Sequence, residues 1–181
     1  AAPCLPPCHR SVNVELEGET WRFTAAFADL RPGGLIRHRY DDTRATDYLT
    51  GWLNHLFLCA LHPEDVAPET RWISRDGEYR LRRCEDPEVV LHGLLAIYRR
   101  GLRTPAHFFP KSGFAYVTNQ QNLSKAIAKW RSTRDRPWGE EEDPAYRLAL
   151  RGVDDPLDED FEQCAAAVFG PMMKCIEDDR L

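Results

Sequence analysis

Asp29 ends an apolar run, Ala26-Phe27-Ala28, and a Pro32-Gly33-Gly34 turn separates it from Leu35-Ile36-Arg37-His38-Arg39-Tyr40. A carboxylate at the end of one strand, beside a carboxylate and a lysine two residues apart on the next, is an arrangement that hydrolyses phosphodiesters. Mg²⁺ takes hard oxygen ligands, so carboxylates from adjacent strands must converge on it. The metal polarises the phosphate and activates a water, while the lysine stabilises developing negative charge. Here Asp29 fills the first carboxylate position, but Arg37 and Arg39 stand where the second carboxylate and the lysine belong. Strand alternation puts residues 37 and 39 on one face and His38 on the other. A guanidinium repels Mg²⁺, and shifting the register by one residue brings in His38 and still no second carboxylate. Asp41 and Asp42 lie further on, in the loop that should cap the next helix. The metal site is incomplete, so no metal, no cofactor and no catalysis are expected, and Asp29 is a remnant position. Arg37 and Arg39 stay open to three readings: edge-strand cations that keep sheets apart, an ion pair with Asp29, or contacts to DNA phosphate.

Lys111, in Phe109-Pro110-Lys111-Ser112-Gly113, is either a helix-start lysine or a phosphate contact. Trp130 and Trp138 could stack on bases, although Trp130 shares a helical stripe with Ile127 and reads as packing. Cys4-Leu5-Pro6-Pro7-Cys8-His9 is half of a zinc knuckle without a second half. Cys59, Cys84, Cys164 and Cys175 sit singly among apolar or helical neighbours, like small hydrophobes in a reducing cytosol, so a cytoplasmic location is expected. Charge is uneven. Residues 1–136 hold 20 Lys or Arg against 16 Asp or Glu, residues 137–181 hold 4 against 13, and the net is −5. That excludes a wholly basic nucleic-acid footprint and leaves at most one DNA-facing side. Glu140-Glu141-Glu142-Asp143 reads as a solvated acidic surface. No apolar run approaches the ~20 residues that span a bilayer, so no membrane is expected. The opening Ala1-Ala2-Pro3-Cys4 lacks an initiator Met and a signal pattern, and reads as a cut within a longer polypeptide or as an introduced end.

The elements that must position these residues follow from periodicity. Residues 12–17 alternate apolar and polar, Gly18-Glu19 turns, and 20–28 continue as a second strand with Trp21, Phe23 and Phe27 inward. With a third strand over 35–40, the first forty residues form a meander. A helix follows, capped by Asp42 or Thr43, with Ala45, Leu49, Trp52, Leu53, Leu56, Phe57 and Ala60 as its core stripe and His55 outside it. Asp76-Gly77 is a hairpin signal whose two turn positions need positive φ. Asp86 caps a second helix, Pro87 opens it and Gly101 ends it. Further helices are expected over 121–133, 143–151 and 157–169, with Gly170-Pro171 interrupting the last. Strands, helix, hairpin, then mostly helix is an α+β order. The expected layout is a flexible segment over 1–11 and one domain over 12–181, with a helical extension from about residue 105.

Arg37-His38-Arg39, the polar stretch from Asp41 to Asp47, and Tyr48-Leu49-Thr50-Gly51-Trp52-Leu53-Asn54-His55-Leu56 together resemble the strand-to-helix passage of the RecC C-terminal domain family. Ser74-Arg75-Asp76-Gly77-Glu78-Tyr79, Leu102, Pro105 and Phe108-Phe109-Pro110-Lys111-Ser112-Gly113-Phe114-Ala115 continue the likeness. Asn122-Leu123, Ala126, Lys129-Trp130 and Tyr146-Arg147-Leu148 extend it, so that it covers roughly 12–175. The resemblance implies a restriction-endonuclease-like core of the PD-(D/E)xK type that has lost its catalytic residues. It also implies a place in the RecBCD helicase-nuclease, exodeoxyribonuclease V, with RecB-like and RecD-like subunits. There the domain would hold the complex together and guide DNA strands at a double-strand end or fork during break repair and homologous recombination, with Arg37, Arg39 and Lys111 as candidate DNA contacts. Two alternatives accompany it: a protein-interaction domain without DNA contact, and an active Mg²⁺ nuclease drawing on Asp41, Asp42 or the 140–143 run.

Overall fold

The computed structural model describes residues 3–181; the start of the expected flexible segment, residues 1 and 2, lies outside them. The chain is an α+β protein whose elements run β1 (Cys8–Leu16), β2 (Glu19–Phe27), β3 (Leu30–Arg31), β4 (Gly34–His38), α1 (Ala45–Leu61), β5 (Thr70–Ser74), β6 (Gly77–Leu81) and α2 (Pro87–Gly101). They continue with α3 (Pro110–Thr118), α4 (Leu123–Trp130), a single helical turn (Glu140–Glu142), α5 (Pro144–Ala149), α6 (Glu159–Met173) and β7 (Ile176–Glu177). Two compact units result, one from the described residues up to 95 with 174–181 and one from 96–173. No helix among the described residues is long and apolar enough to cross a membrane.

In the first unit, β1 and β2 form a two-stranded antiparallel sheet from Cys8↔Phe27 to Leu16↔Glu19. The turn is Glu17-Gly18, with φ of 50° and 80°, so both positions are left-handed as a two-residue hairpin of matching twist requires. Trp21, Phe23 and Phe27 do alternate inward: Phe27 is buried with Leu30, Leu35, Leu58 and Val66, and Phe23 and Trp21 pack against Val14, Leu16 and Leu95. The expected meander is split. β3, β4, β5, β6 and β7 make a separate five-stranded sheet in that order. Short β3 turns back antiparallel on β4, and α1 carries the chain to β5, which runs parallel to β4. β1 already begins at Cys8, and the Leu5 N–H donates to the Leu30 carbonyl at 2.8 Å.

The second hairpin departs from expectation by one residue. Ser74 pairs with Gly77, so Arg75 and Asp76 make the turn, and positive φ falls on Gly77 (136°) but not on Asp76. The Asp76 carboxylate sets this arrangement, accepting from Ser74 Oγ (2.8 Å) and the Thr43 N–H (3.0 Å). Burial works to raise the Asp76 pKa, but those hydrogen bonds and the Arg180 charge outweigh it and hold the carboxyl well below the usual range. β7 closes the sheet against β6, and Arg82 ties down its end through Glu177 at 2.9 Å.

The second unit is helical. Phe109, Tyr116, Ala126, Trp130, Leu150, Leu157, Phe161 and Ala165 form its core. The stripe of α6 (Phe161, Cys164, Ala165, Val168 and Phe169) is wholly buried. Gly170-Pro171 does not interrupt this helix, which continues to Met173 with Pro171 inside it. Glu140 is not solvated acidic surface: it is 5% exposed. Phe109 cannot cap α3 and Pro110 has no N–H, leaving the N–H groups of Lys111 and Ser112 to find an acceptor. The Glu140 carboxylate takes both, at 2.9 and 2.8 Å, and the Ser112 hydroxyl at 2.8 Å.

Candidate functional site

β4 lies in register with β5, Arg37 against Trp72 and His38 against Ile73. Alternation then sends Arg37 and Arg39 to one face, and α1 covers it. Arg37 reaches Asn54 Oδ1 at 3.4 Å and Arg39 reaches Asp47 Oδ1 at 3.1 Å. Asp47 and Asn54 are two turns apart on α1, so the helix presents one polar edge to both arginines. Asp29, in the bend between β2 and β3, is ion-paired with Arg37, the carboxylate half exposed and the guanidinium a quarter exposed. Arg39 also approaches Asp41 at 3.6 Å. Asp47 serves twice, because its second oxygen accepts from the Arg44 N–H at 2.8 Å.

That bond corrects the expected helix start. Arg44 is the N-cap, with Asp47 reaching back to it. Thr43 instead binds Ser74 Oγ (2.6 Å) and Asp76, and Asp42 pairs with Arg75 at 2.8 Å. Asp41 holds Arg44 at 2.7 Å and Arg75 at 3.2 Å. The Asp42 backbone N–H and the Arg44 side chain keep the Asp41 carboxyl below its ordinary range. Each carboxylate near Asp29 is therefore engaged by a guanidinium of the same fold.

A divalent metal does not fit these donors. It would share Asp29 with a guanidinium, and the next carboxylate, Asp47, is held by another; Mg²⁺ needs several converging oxygens. Glu140 caps α3, Glu141 pairs with Arg131, Glu142 with Arg147, and Asp143 caps α5. Among the described residues no group of three or more His, Cys, Asp or Glu is arranged to hold a metal ion. The six cysteines are free thiols, Cys84, Cys164 and Cys175 buried and Cys59 half-buried. Cys4, the start of the half-knuckle, is exposed and donates to the Ala28 carbonyl at 3.4 Å.

Asp29, Arg37 and Arg39 thus come together. Lys111 belongs to the other unit, where its backbone is bound by Glu140 and its side chain is exposed. Sequence reasoning missed Asp47 and Asn54; the signal was an Asp and an Asn seven residues apart, a spacing that puts both on one edge of a helix. It also misplaced His55, which is fully buried. Tyr48, Trp52 and His55 recur at four- and three-residue steps on the buried side of α1, with Tyr48 stacked on Tyr79 of β6 and His55 bonded to Thr70 of β5. His55 Nε2 lies 2.8 Å from the Arg82 carbonyl and Nδ1 lies 3.0 Å from Thr70 Oγ1. A carbonyl only accepts, so Nε2 carries the proton and Nδ1 accepts from Thr70. Burial pushes the His55 pKa down to about 4, so the ring is neutral.

A family model described as RecC C-terminal domain matches residues 2–121. The RecBCD enzyme subunit RecC of Escherichia coli (strain K12) is 27% identical over 111 residues, 60% of this chain. Those residues make up 10% of that relative, so the chain spans about a tenth of its length. The family match starts earlier than the resemblance set out above and stops short of residue 175, before α4.

Proposed function

Because the chain belongs to the RecC C-terminal domain family, we propose that it is a non-catalytic assembly and strand-guiding domain of a RecC-like subunit. On this reading it works in the cytoplasm within an exodeoxyribonuclease V complex, bound to RecB-like and RecD-like subunits, during double-strand break repair and homologous recombination. Residues 12–181 make up the domain, with the helical part after about residue 105 as its extension. The core is a degenerate restriction-endonuclease-like scaffold. One observation carries this reading: the Arg37 guanidinium pairs with Asp29 where a nuclease of that scaffold would hold a metal. The β3–β4 hairpin, with Asp29 before it and Arg37 on its second strand, supports the scaffold assignment.

Arg37, Arg39 and Lys111 are the proposed DNA contacts. Arg37 and Arg39 keep 28% of their side chains exposed, enough for a phosphate to share them with their carboxylates. A second reading, protein interaction without DNA, is favoured by the same ion pairs, since they already neutralise both cations. Capture of RecB-like and RecD-like subunits by the tagged chain, together with forked duplex DNA titrated at two salt concentrations, tests the proposal. Partner capture with salt-dependent DNA binding that weakens in Arg37→Ala/Arg39→Ala is the expected result. Capture without DNA binding selects the second reading, and failure of both sinks the assembly role.

A further inference from the structure

The corner where α4 ends has features that the Asp29 region lacks. Between Gln121 and Trp138 the sequence has five Lys or Arg and one carboxylate, Asp135, in a chain of net charge −5. Lys125 and Lys129 lie one turn apart on the exposed side of α4, a spacing at which like charges repel and cost helix stability. Among the described residues, no carboxylate lies within ion-pair distance of Lys125, Lys129, Arg134 or Arg136. Arg131 is the exception in this stretch, paired with Glu141 at 3.2 Å.

The backbone gathers these charges. Thr133 and Arg136 exchange two hydrogen bonds, at 2.9 and 3.1 Å, and put Arg134 at the tip of a tight turn. Arg136 Nη2 donates to the Ala128 carbonyl, so the turn folds back over the last turn of α4. The Gly139 N–H donates to Ser132 Oγ at 3.0 Å, and a Cβ at 139 would run into the backbone of Trp130, Arg131 and Ser132. Glu141 in turn holds the Ser132 N–H. Trp138 stands beside that anchor with its indole 70% exposed, whereas Trp130 is 5% exposed and packs on Phe109.

Unpaired cations and an exposed indole on a fixed loop match one kind of ligand best. Phosphates need cations at intervals, and an unstacked base needs a flat face. A duplex hides the faces of its bases and leaves the indole unused, and an acidic peptide has no base to stack. We propose that this α4 corner is a binding site for single-stranded nucleic acid, with phosphates at Lys125, Lys129 and Arg134 and a base stacked on Trp138. The inference rests on the strand-guiding half of the proposed function and gives it a surface outside the segment matched to the family.

The test is fluorescence anisotropy of a labelled oligothymidylate titrated with the full 181-residue chain at several salt concentrations. The wild type binds with a negative salt slope. Lys125→Glu/Lys129→Glu/Arg134→Glu reduces that slope by about 2, as three lost single-strand phosphate contacts would. Trp138→Ala weakens binding roughly tenfold and leaves the slope unchanged. All four side chains are exposed, so circular dichroism should stay that of the wild type, and the conservative variants Lys125→Gln/Lys129→Gln serve if the reversal unfolds. Affinity and slope unchanged by the charge reversal would overturn the site. So would a silent Trp138→Ala combined with polyglutamate competing as well as the oligonucleotide, which would assign the corner to an acidic protein. Partner capture by the same variants separates this failure from that of the wider reading, because the site variants leave capture intact.

Discussion

At the scale of single residues, positive charge is used here for cohesion. Arg37 in β4 and Arg39 just past its end both reach α1, one through Asn54 and one through Asp47, while Asp29 and Asp41 take up the remaining charge. The Asp29–Arg37 pair is open to water, so a double-mutant cycle with Asp29→Ala and Arg37→Ala should give a coupling below about 1 kcal/mol in urea unfolding; a coupling of several kcal/mol would mean that the pair holds up the hinge between the strands. His55 makes the larger contribution. Its pKa is about 4 in the fold, against about 6.5 in the unfolded chain. Between these values the unfolded state takes up a proton that the folded state refuses. Its contribution is therefore complete above pH 6.5 and is lost as pH falls toward 4, on the order of 3 kcal/mol in all. Urea midpoints measured from pH 7 to pH 5 should fall in the wild type and stay nearly level in His55→Gln, whatever that variant's overall stability.

At the scale of elements, two contacts decide whether helices seat correctly. Gly51 lets α1 lie against the Tyr79 hydroxyl, which donates to the Asp47 carbonyl at 3.1 Å. Gly51→Ala gains helix propensity of about 1 kcal/mol, but its methyl overlaps that hydroxyl, and overpacking of about 1–3 kcal/mol should prevail. A lower melting temperature is the expected result, and a higher one would show that Tyr79 can move aside. Glu140 holds the start of α3 from a distance in sequence. Glu140→Ala should cost about 2–3 kcal/mol by leaving buried donors unmet, and Glu140→Gln should recover part of it.

Local pattern explains which elements could be read from the sequence. The alternation of Val12, Val14 and Leu16 and the Asp86-Pro87 start of α2 are settled within a few residues, and both stand where expected. Pairing is not local: β4 takes β5 as its parallel neighbour across the whole of α1, and nothing in residues 20–40 announces that the meander will split. The candidate site divides in the same way. Arg37 and Arg39 on one face followed from strand period, and pairing of Arg37 with Asp29 was one of the readings left open. Asp47 as the acceptor for Arg39, Asn54 as that for Arg37, Glu140 as a buried cap and His55 as a core residue all depend on partners brought from elsewhere in the fold.

At the scale of the whole molecule, the chain is two compact units, only the first of which lies mainly within the family match. The first spends Arg37, Arg39 and Arg75 on internal carboxylates, and the second leaves Lys125, Lys129 and Arg134 exposed around α4. The central claim, that the Asp29 region no longer supports hydrolysis, is tested most directly by incubating the chain with forked duplex DNA in Mg²⁺ and in EDTA, alongside Asp29→Ala. Uncut DNA in every arm is the predicted result. Mg²⁺-dependent cleavage that disappears in Asp29→Ala would contradict the account.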